Sequence, residues 1–127
     1  MAISSVLTNS FKTELLKGFH SFDTSGATPA GSVFKIALYN SSADLGTTTT
    51  AYTTTEELAT ATGYTRPGNT LTNTGVGVST VTSFTDFSDT SWTSASFTAR
   101  GCLIYNSSSI TGLTTDAAVC SIDFGGD

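Results

Sequence analysis

Ala37-Leu38-Tyr39-Asn40-Ser41-Ser42 returns near the other end of the chain as Leu103-Ile104-Tyr105-Asn106-Ser107-Ser108. Each unit is an apolar run closed by Tyr-Asn-Ser-Ser and followed by Gly- and Thr-rich sequence, the pattern of a buried strand leaving the core for a turn. In the first unit Phe34, Ile36 and Leu38 alternate with Val33, Lys35, Ala37 and Tyr39, so one of the two faces is expected to be core. In the second, Cys102 and Ile104 take the places of Ile36 and Leu38, and Arg100 and Gly101 open the strand where Phe34 and Lys35 stand. Six matched positions are compatible with a duplication and with two strands converging on one pattern.

Composition extends the β reading to the whole chain. Its 127 residues make one domain by size, which buries roughly two-thirds of its extended-chain surface on folding. Thr (26) and Ser (18) dominate, with 12 Gly and few charges, which favours strands and turns over long helices. Eight Phe, four Tyr and one Trp are spread along the chain and supply the anchors that a disordered Thr/Ser-rich segment lacks. The formal charge of −5, with five basic residues, argues against the phosphate-neutralising patch that nucleic-acid binding needs. No apolar run approaches the ~20 residues of a membrane span, and no basic n-region followed by an apolar run marks a signal peptide; a soluble, unexported protein is the expectation. Cys102 and Cys120 read as two small buried hydrophobes, although a hairpin centred near Thr111 would set them opposite each other.

Taken in order, Ser4 to His20 has helical period, with Leu7, Phe11, Leu15 and Phe19 at steps of four, a cap at Ser4 or Ser5, and Gly18 near its end. This apolar stripe can close the β core or dock on another subunit. Asp23 to Gly31 reads as a Gly/Pro/Ser/Thr linker, which divides the chain into a helix-and-linker segment (1–31) and a β domain (32–127) within one compact unit. Asn40 to Thr55 has little to bury except Leu45 and Tyr52, so it reads as an extended arm or long surface loop. Glu56 to Thr62 suggests a short helical turn, and Gly63 to Asn69 exposed irregular chain. Leu71 to Val81, Phe84 to Phe87, Trp92 to Ala99 and a last strand carrying Cys120 and Ile122 complete the pattern, with Gly75 and Gly77 marking a bulge or a close backbone approach. The expected fold is mainly β: a small antiparallel β-sandwich or open barrel with one N-terminal amphipathic helix.

Catalytic chemistry finds little support. His20, at the helix end, is expected to meet the last carbonyls and not a metal. Asp86 and Asp89, or Glu56 and Glu57, could serve as a glycosidase pair, but nothing places either across a cleft, and no phosphate loop or nucleophile elbow is present. No catalytic, metal or cofactor residue is assigned, and the chain reads as a non-enzyme. Asn40-Ser41-Ser42 and Asn106-Ser107-Ser108 match the glycosylation sequon but read as turn chemistry. Tyr52, Tyr64 and Trp92 could stack on sugars, which keeps a carbohydrate-binding module as a third reading.

Four stretches together resemble a group of small virion structural proteins of tailed bacteriophages. They are Asn9 to His20 leading to Phe34 to Tyr39, Ala51 to Glu56, Ala99 to Asn106, and the closing Ile122-Asp123-Phe124-Gly125-Gly126. The resemblance implies a virion component assembled in the bacterial cytoplasm, homo-oligomeric on the particle, with the major capsid protein or other virion proteins as partners and with neither nucleic acid nor membrane. A capsid decoration (cement) protein bridging major-capsid subunits is the role preferred, ahead of a tail, head-to-tail or fibre-attachment protein. An acidic, Thr-rich β domain with a spare helix suits it, since edge strands and extended chain can be laid across a neighbour. The candidate assembly contacts are Leu7, Phe11, Leu15 and Phe19 on the stripe and Thr47, Thr50 and Tyr52 on the Thr-rich segment.

Overall fold

The computed structural model describes residues 2–24, 31–61 and 63–127; most of the expected linker, at 25–30, lies outside them. The two repeated units become neighbouring strands. β2 (Phe34–Tyr39) pairs antiparallel with β6 (Gly101–Asn106), from Phe34 opposite Asn106 to Tyr39 opposite Gly101. In this register Ala37 faces Leu103, its equivalent in the repeat, so the pair has a local two-fold centre there; both residues are fully buried. The two turns match as well. Asn40 Oδ1 accepts from the Ser42 N–H at 2.8 Å, and Asn106 Oδ1 from the Ser108 N–H at 2.9 Å, the side-chain-to-backbone bond that makes Asn a strand-ending residue.

Three further strands complete a five-stranded antiparallel sheet in the order β1-β7-β6-β2-β3, where β1 is Val6–Leu7, β3 Asn69–Thr70 and β7 Ala117–Asp123. A separate two-stranded ribbon is formed by β4 (Asn73–Ser79) and β5 (Thr82–Phe87). The fold is thus mainly β with one short helix, α1 (Asn9–Leu16), and its layers make an open sandwich. Gly101 begins β6 because a Cβ there would lie 2.4 Å from the Ile122 carbonyl oxygen of β7.

Both faces of the central sheet are buried, whereas alternation alone implies one. On one face Ala37, Tyr39, Leu103, Tyr105 and Ala118 pack beneath Ile3, Ala43, Leu45 and Tyr52. The Thr-rich segment is therefore a lid on the chain's own sheet and not a free arm. Its backbone is tied down at several points: Ala118 N–H donates to the Thr50 carbonyl, Tyr52 N–H to that of Asp116, and Leu45 N–H to that of Ala2. The other face, with Phe34, Ile36, Leu38, Cys102 and Ile104, is covered by Phe11, Phe22, Leu71 and Phe87 toward one end and by Tyr64, Leu58, Trp92 and Phe97 toward the other.

Several expectations are corrected. The helix is half as long as its period suggests, because Val6 and Leu7 pair with Ser121 and Cys120 as the sheet's edge strand. Thr8, not Ser4 or Ser5, caps α1: its Oγ1 accepts from the Phe11 N–H at 3.2 Å and donates to the Ala118 carbonyl. Gly18, at φ +78°, turns the chain away just beyond the helix. Glu56, at φ +61°, lies in a turn and starts no helix. Trp92 to Ala99 forms no strand; it crosses the sheet as irregular chain, with Trp92, Phe97 and Ala99 pressed on Leu38, Tyr64 and Cys102. Finally, the β6–β7 register shifts between Ile104 and Tyr105, which sets Ile104 opposite Cys120 and Cys102 opposite Ile122. The two cysteines are diagonal, not facing, and both are free thiols.

Candidate functional site

Two of the polar groups that sequence marks out, His20 and Glu57, are used internally. His20 is buried between Phe11 and Phe34 and makes two side-chain bonds. The Asn106 amide donates to Nδ1 at 3.0 Å, which leaves Nε2–H to donate to Glu14 at 2.8 Å. It therefore ties the helix to the end of β6 and does not cap the last helix carbonyls, as the sequence suggests. Glu56 and Glu57 occupy different environments: Glu56 is exposed and accepts from Asn40 Nδ2, whereas Glu57 is buried. The Glu57 carboxylate accepts from Tyr52 Oη at 2.5 Å and Tyr64 Oη at 2.7 Å and lies 3.3 Å from Arg66 Nε. Burial pushes both phenols far above their ordinary value, and the Glu57 charge pushes the same way. A buried carboxylate with this many partners is a structural knot joining the Thr-rich lid to the 63–68 turn. Asp86 and Asp89 are exposed on and beside β5. Among the described residues no His, Cys, Asp or Glu group could hold a metal, and no helix is long and apolar enough to cross a membrane.

The aromatics considered for sugar stacking do not form an open platform. Tyr64 is fully buried, its hydroxyl accepting from the Leu38 N–H. Tyr52 stacks on Tyr105 at 4.8 Å, and Trp92 is half-buried against Tyr64.

One outward-facing region is apolar. A groove of about 480 Å³ runs between α1 and the β4–β5 hairpin, on the side of the sheet opposite the Thr-rich lid. Leu7, Phe11 and Leu15 form one wall, Ile104, Val119 and Cys120 the floor, and Phe84, Thr85 and Phe87 of β5 the other wall. The extra residue of the β6–β7 irregularity is Val119, so Val119 and Cys120 both reach this side. The lining carries no charged side chain. Burial pushes the Cys120 thiol up to about 11, so at neutral pH it is a neutral thiol of lowered reactivity in the floor. The groove can remove apolar surface from water; it holds no group placed to move a proton or attack a substrate.

The hairpin beyond the groove is exposed on most of its residues, including Val76 (62%), Val78 (69%) and Phe84 (49%), with Val81 at its tip 91% exposed. Phe84 lies across Gly77, where a Cβ would come within 2.7 Å of the ring. Thr80, at φ +55°, begins the two-residue turn, a costly conformation for a β-branched residue.

Three of the seven proposed contact residues thus meet in one place. Leu7 and Leu15 are half-exposed groove walls, while Phe11, though it reaches the groove, is 5% exposed and belongs to the core. Phe19 lies elsewhere, beside Gly112 and in a cleft with Ser32, Ser108 and Ile110. Thr47 and Thr50 lend backbone carbonyls to Asn9 and Ala118 and keep exposed side chains, and Tyr52 belongs to the Glu57 knot. The hairpin half of the site, Val76, Val81 and Phe84, is absent from the sequence-based set. Its only signal is a strand pair in which the valines share one face and glycines take the other. No family model, no curated protein and no solved structure matches this chain, so its kinship rests on no comparison.

Proposed function

We propose that this protein is a non-enzymatic structural component of a tailed-phage virion, and that it serves as a capsid decoration (cement) protein, holding major-capsid subunits through the face formed by the groove and the β4–β5 hairpin. One observation carries the proposal: an acidic domain that uses its buried polar groups internally leaves an uncharged, apolar groove open outside, bordered by the exposed valines of the hairpin. Exposed apolar patches of several hundred Å² on a soluble domain mark contact surfaces. The resemblance of the four sequence stretches to small virion proteins supports the same reading. The Thr-rich segment, fixed on its own sheet, would add only outward side chains such as Thr47 and Thr50 to such a contact.

The test is to add purified protein to undecorated capsids, sediment the particles, and image a labelled derivative by negative stain. Decoration predicts many copies distributed over the shell. Few copies at a single vertex would move the protein to the tail or head-to-tail junction, and absence from the pelleted particles would overturn the reading.

A further inference from the structure

We infer that the open edge of β5 is a self-association edge, along which two copies of the chain pair antiparallel about a two-fold axis and join their hairpins into one four-stranded sheet bordering both grooves. The inference rests on reading the groove-and-hairpin face as an assembly surface, and it names a second copy as a partner of that face.

The hairpin is a two-stranded ribbon, and among the described residues neither of its strands pairs with any strand but the other. Two strands alone are marginal in water and gain stability from a third or from packing. The flanks differ. The β4 side is occupied at its base, where the Asn73 amide donates to the Phe22 carbonyl and the Thr24 hydroxyl stands close to Gly75. The β5 side supplies Ser83, Phe84, Thr85 and Phe87 to the groove lining, against Val76 alone from β4, so the β5 edge borders the groove mouth. Soluble proteins guard such edges with lysine, proline or inward charge. Thr82–Phe87 carries none of these, and its one charged residue is Asp86.

Area and charge fit the same partner. At their exposures, the side chains of Leu7, Leu15, Val76, Val78 and Val81 present roughly 400 Å² of apolar surface, and Phe84 lies over Gly77 on the other face of the ribbon. A standard interface buries about 800 Å² per partner, of which about 65% is apolar in homodimers, so these side chains supply most of the apolar area a dimer needs. A two-fold centred on Phe84 sets Asp86 against Thr82 and Ser83 against Thr85 across the axis, so the charge of the ribbon meets no like charge in a chain whose net charge otherwise repels its copy.

The experiment is sedimentation equilibrium of the isolated protein across micromolar concentrations, with the edge variants Ser83→Lys and Val81→Lys. Both sites are exposed, and unchanged circular dichroism and melting of the variants are the folding control. The expected result is a dimer of the 13.1 kDa chain whose dissociation constant rises on the order of tenfold or more in each variant, with amide exchange along Thr82–Phe87 slowing as wild-type concentration rises. A monomer throughout the range, or a dimer that both lysines leave intact, overturns the inference. The same variants are sedimented with capsids. A monomeric wild type whose capsid binding is lost in the variants would leave the assembly reading standing with the capsid as occupant. A wild-type dimer broken by variants that still decorate capsids fully would uphold self-association and remove this face from the capsid contact.

Discussion

Replacing Tyr64 with Phe deletes one oxygen atom from the centre of the molecule and leaves the ring in place. That oxygen accepts from the Leu38 N–H at 3.0 Å and donates to Glu57 at 2.7 Å, in a residue 1% exposed. A hydrogen bond to a charged partner contributes about 1.5–3 kcal/mol, and a buried backbone donor left without an acceptor costs about 1–3 kcal/mol. Glu57 keeps Tyr52 and Arg66, which places the expected loss toward the lower half of that combined range, at about 3 kcal/mol. For a chain of this size that lowers the melting temperature by roughly 10 °C. Urea unfolding followed by the fluorescence of Trp92, whose ring centroid lies 6.2 Å from that of Tyr64, reads the change as a lower midpoint at unchanged slope. Tyr52→Phe, which removes one bond from a partly buried residue, should cost clearly less. A loss below about 1 kcal/mol for Tyr64→Phe would mean that the hydroxyl is not buried between strand and carboxylate, and the knot around Glu57 would have to be abandoned.

Three further outcomes are expected. Phe11→Glu should unfold the domain, since Phe11 packs on His20 and Phe22, whereas Leu7→Glu with Leu15→Glu should keep the wild-type circular dichroism spectrum; equal damage from both would show the stripe to be wholly core. Alkylation of the unfolded, unreduced chain should add two labels by intact mass, and in the native protein half-buried Cys120 should react before Cys102; no labels without prior reduction would contradict the free thiols. Stability should fall above about pH 9. Burial pushes Cys102 up to about 12 and Cys120 to about 11 from an ordinary 9.0, so the unfolded chain releases these protons first. Their contribution is fully present below pH 9.0 and is lost as pH rises toward those folded values; a urea midpoint that stays level through this window would refute it.

The repeated strands and their Asn turns were legible because both signals are local: alternation of apolar residues and an Asn side chain bonding two residues ahead. The covering of both sheet faces was not, because it depends on contacts such as Thr50 with Ala118 and Tyr52 with Asp116, which no periodicity encodes. Tyr64 looked exposed amid Gly, Arg and Pro, yet only the folded chain brings it to Glu57 and Leu38. The stripe is instructive in another way. Leu7, Phe11 and Leu15 share a groove although Leu7 stands in a strand, since β1 runs straight into the helix cap and keeps all three on one side. The opposite wall depends on where a hairpin folds down, and the order of residues does not say that.

The pairing of β1 with β7 has a consequence for how the chain is made. The Ser121 hydroxyl donates to the Ser4 carbonyl across 117 residues of sequence, and Val6 and Leu7 find their partners only in that same late strand. On the ribosome the first apolar residues therefore emerge long before their partners, while β2 waits nearly as long for β6. Closing such long loops comes late and slowly. The nascent chain must carry an unpaired Phe- and Leu-bearing segment through most of its synthesis, and until β7 arrives that segment is exposed apolar surface of the kind that aggregates.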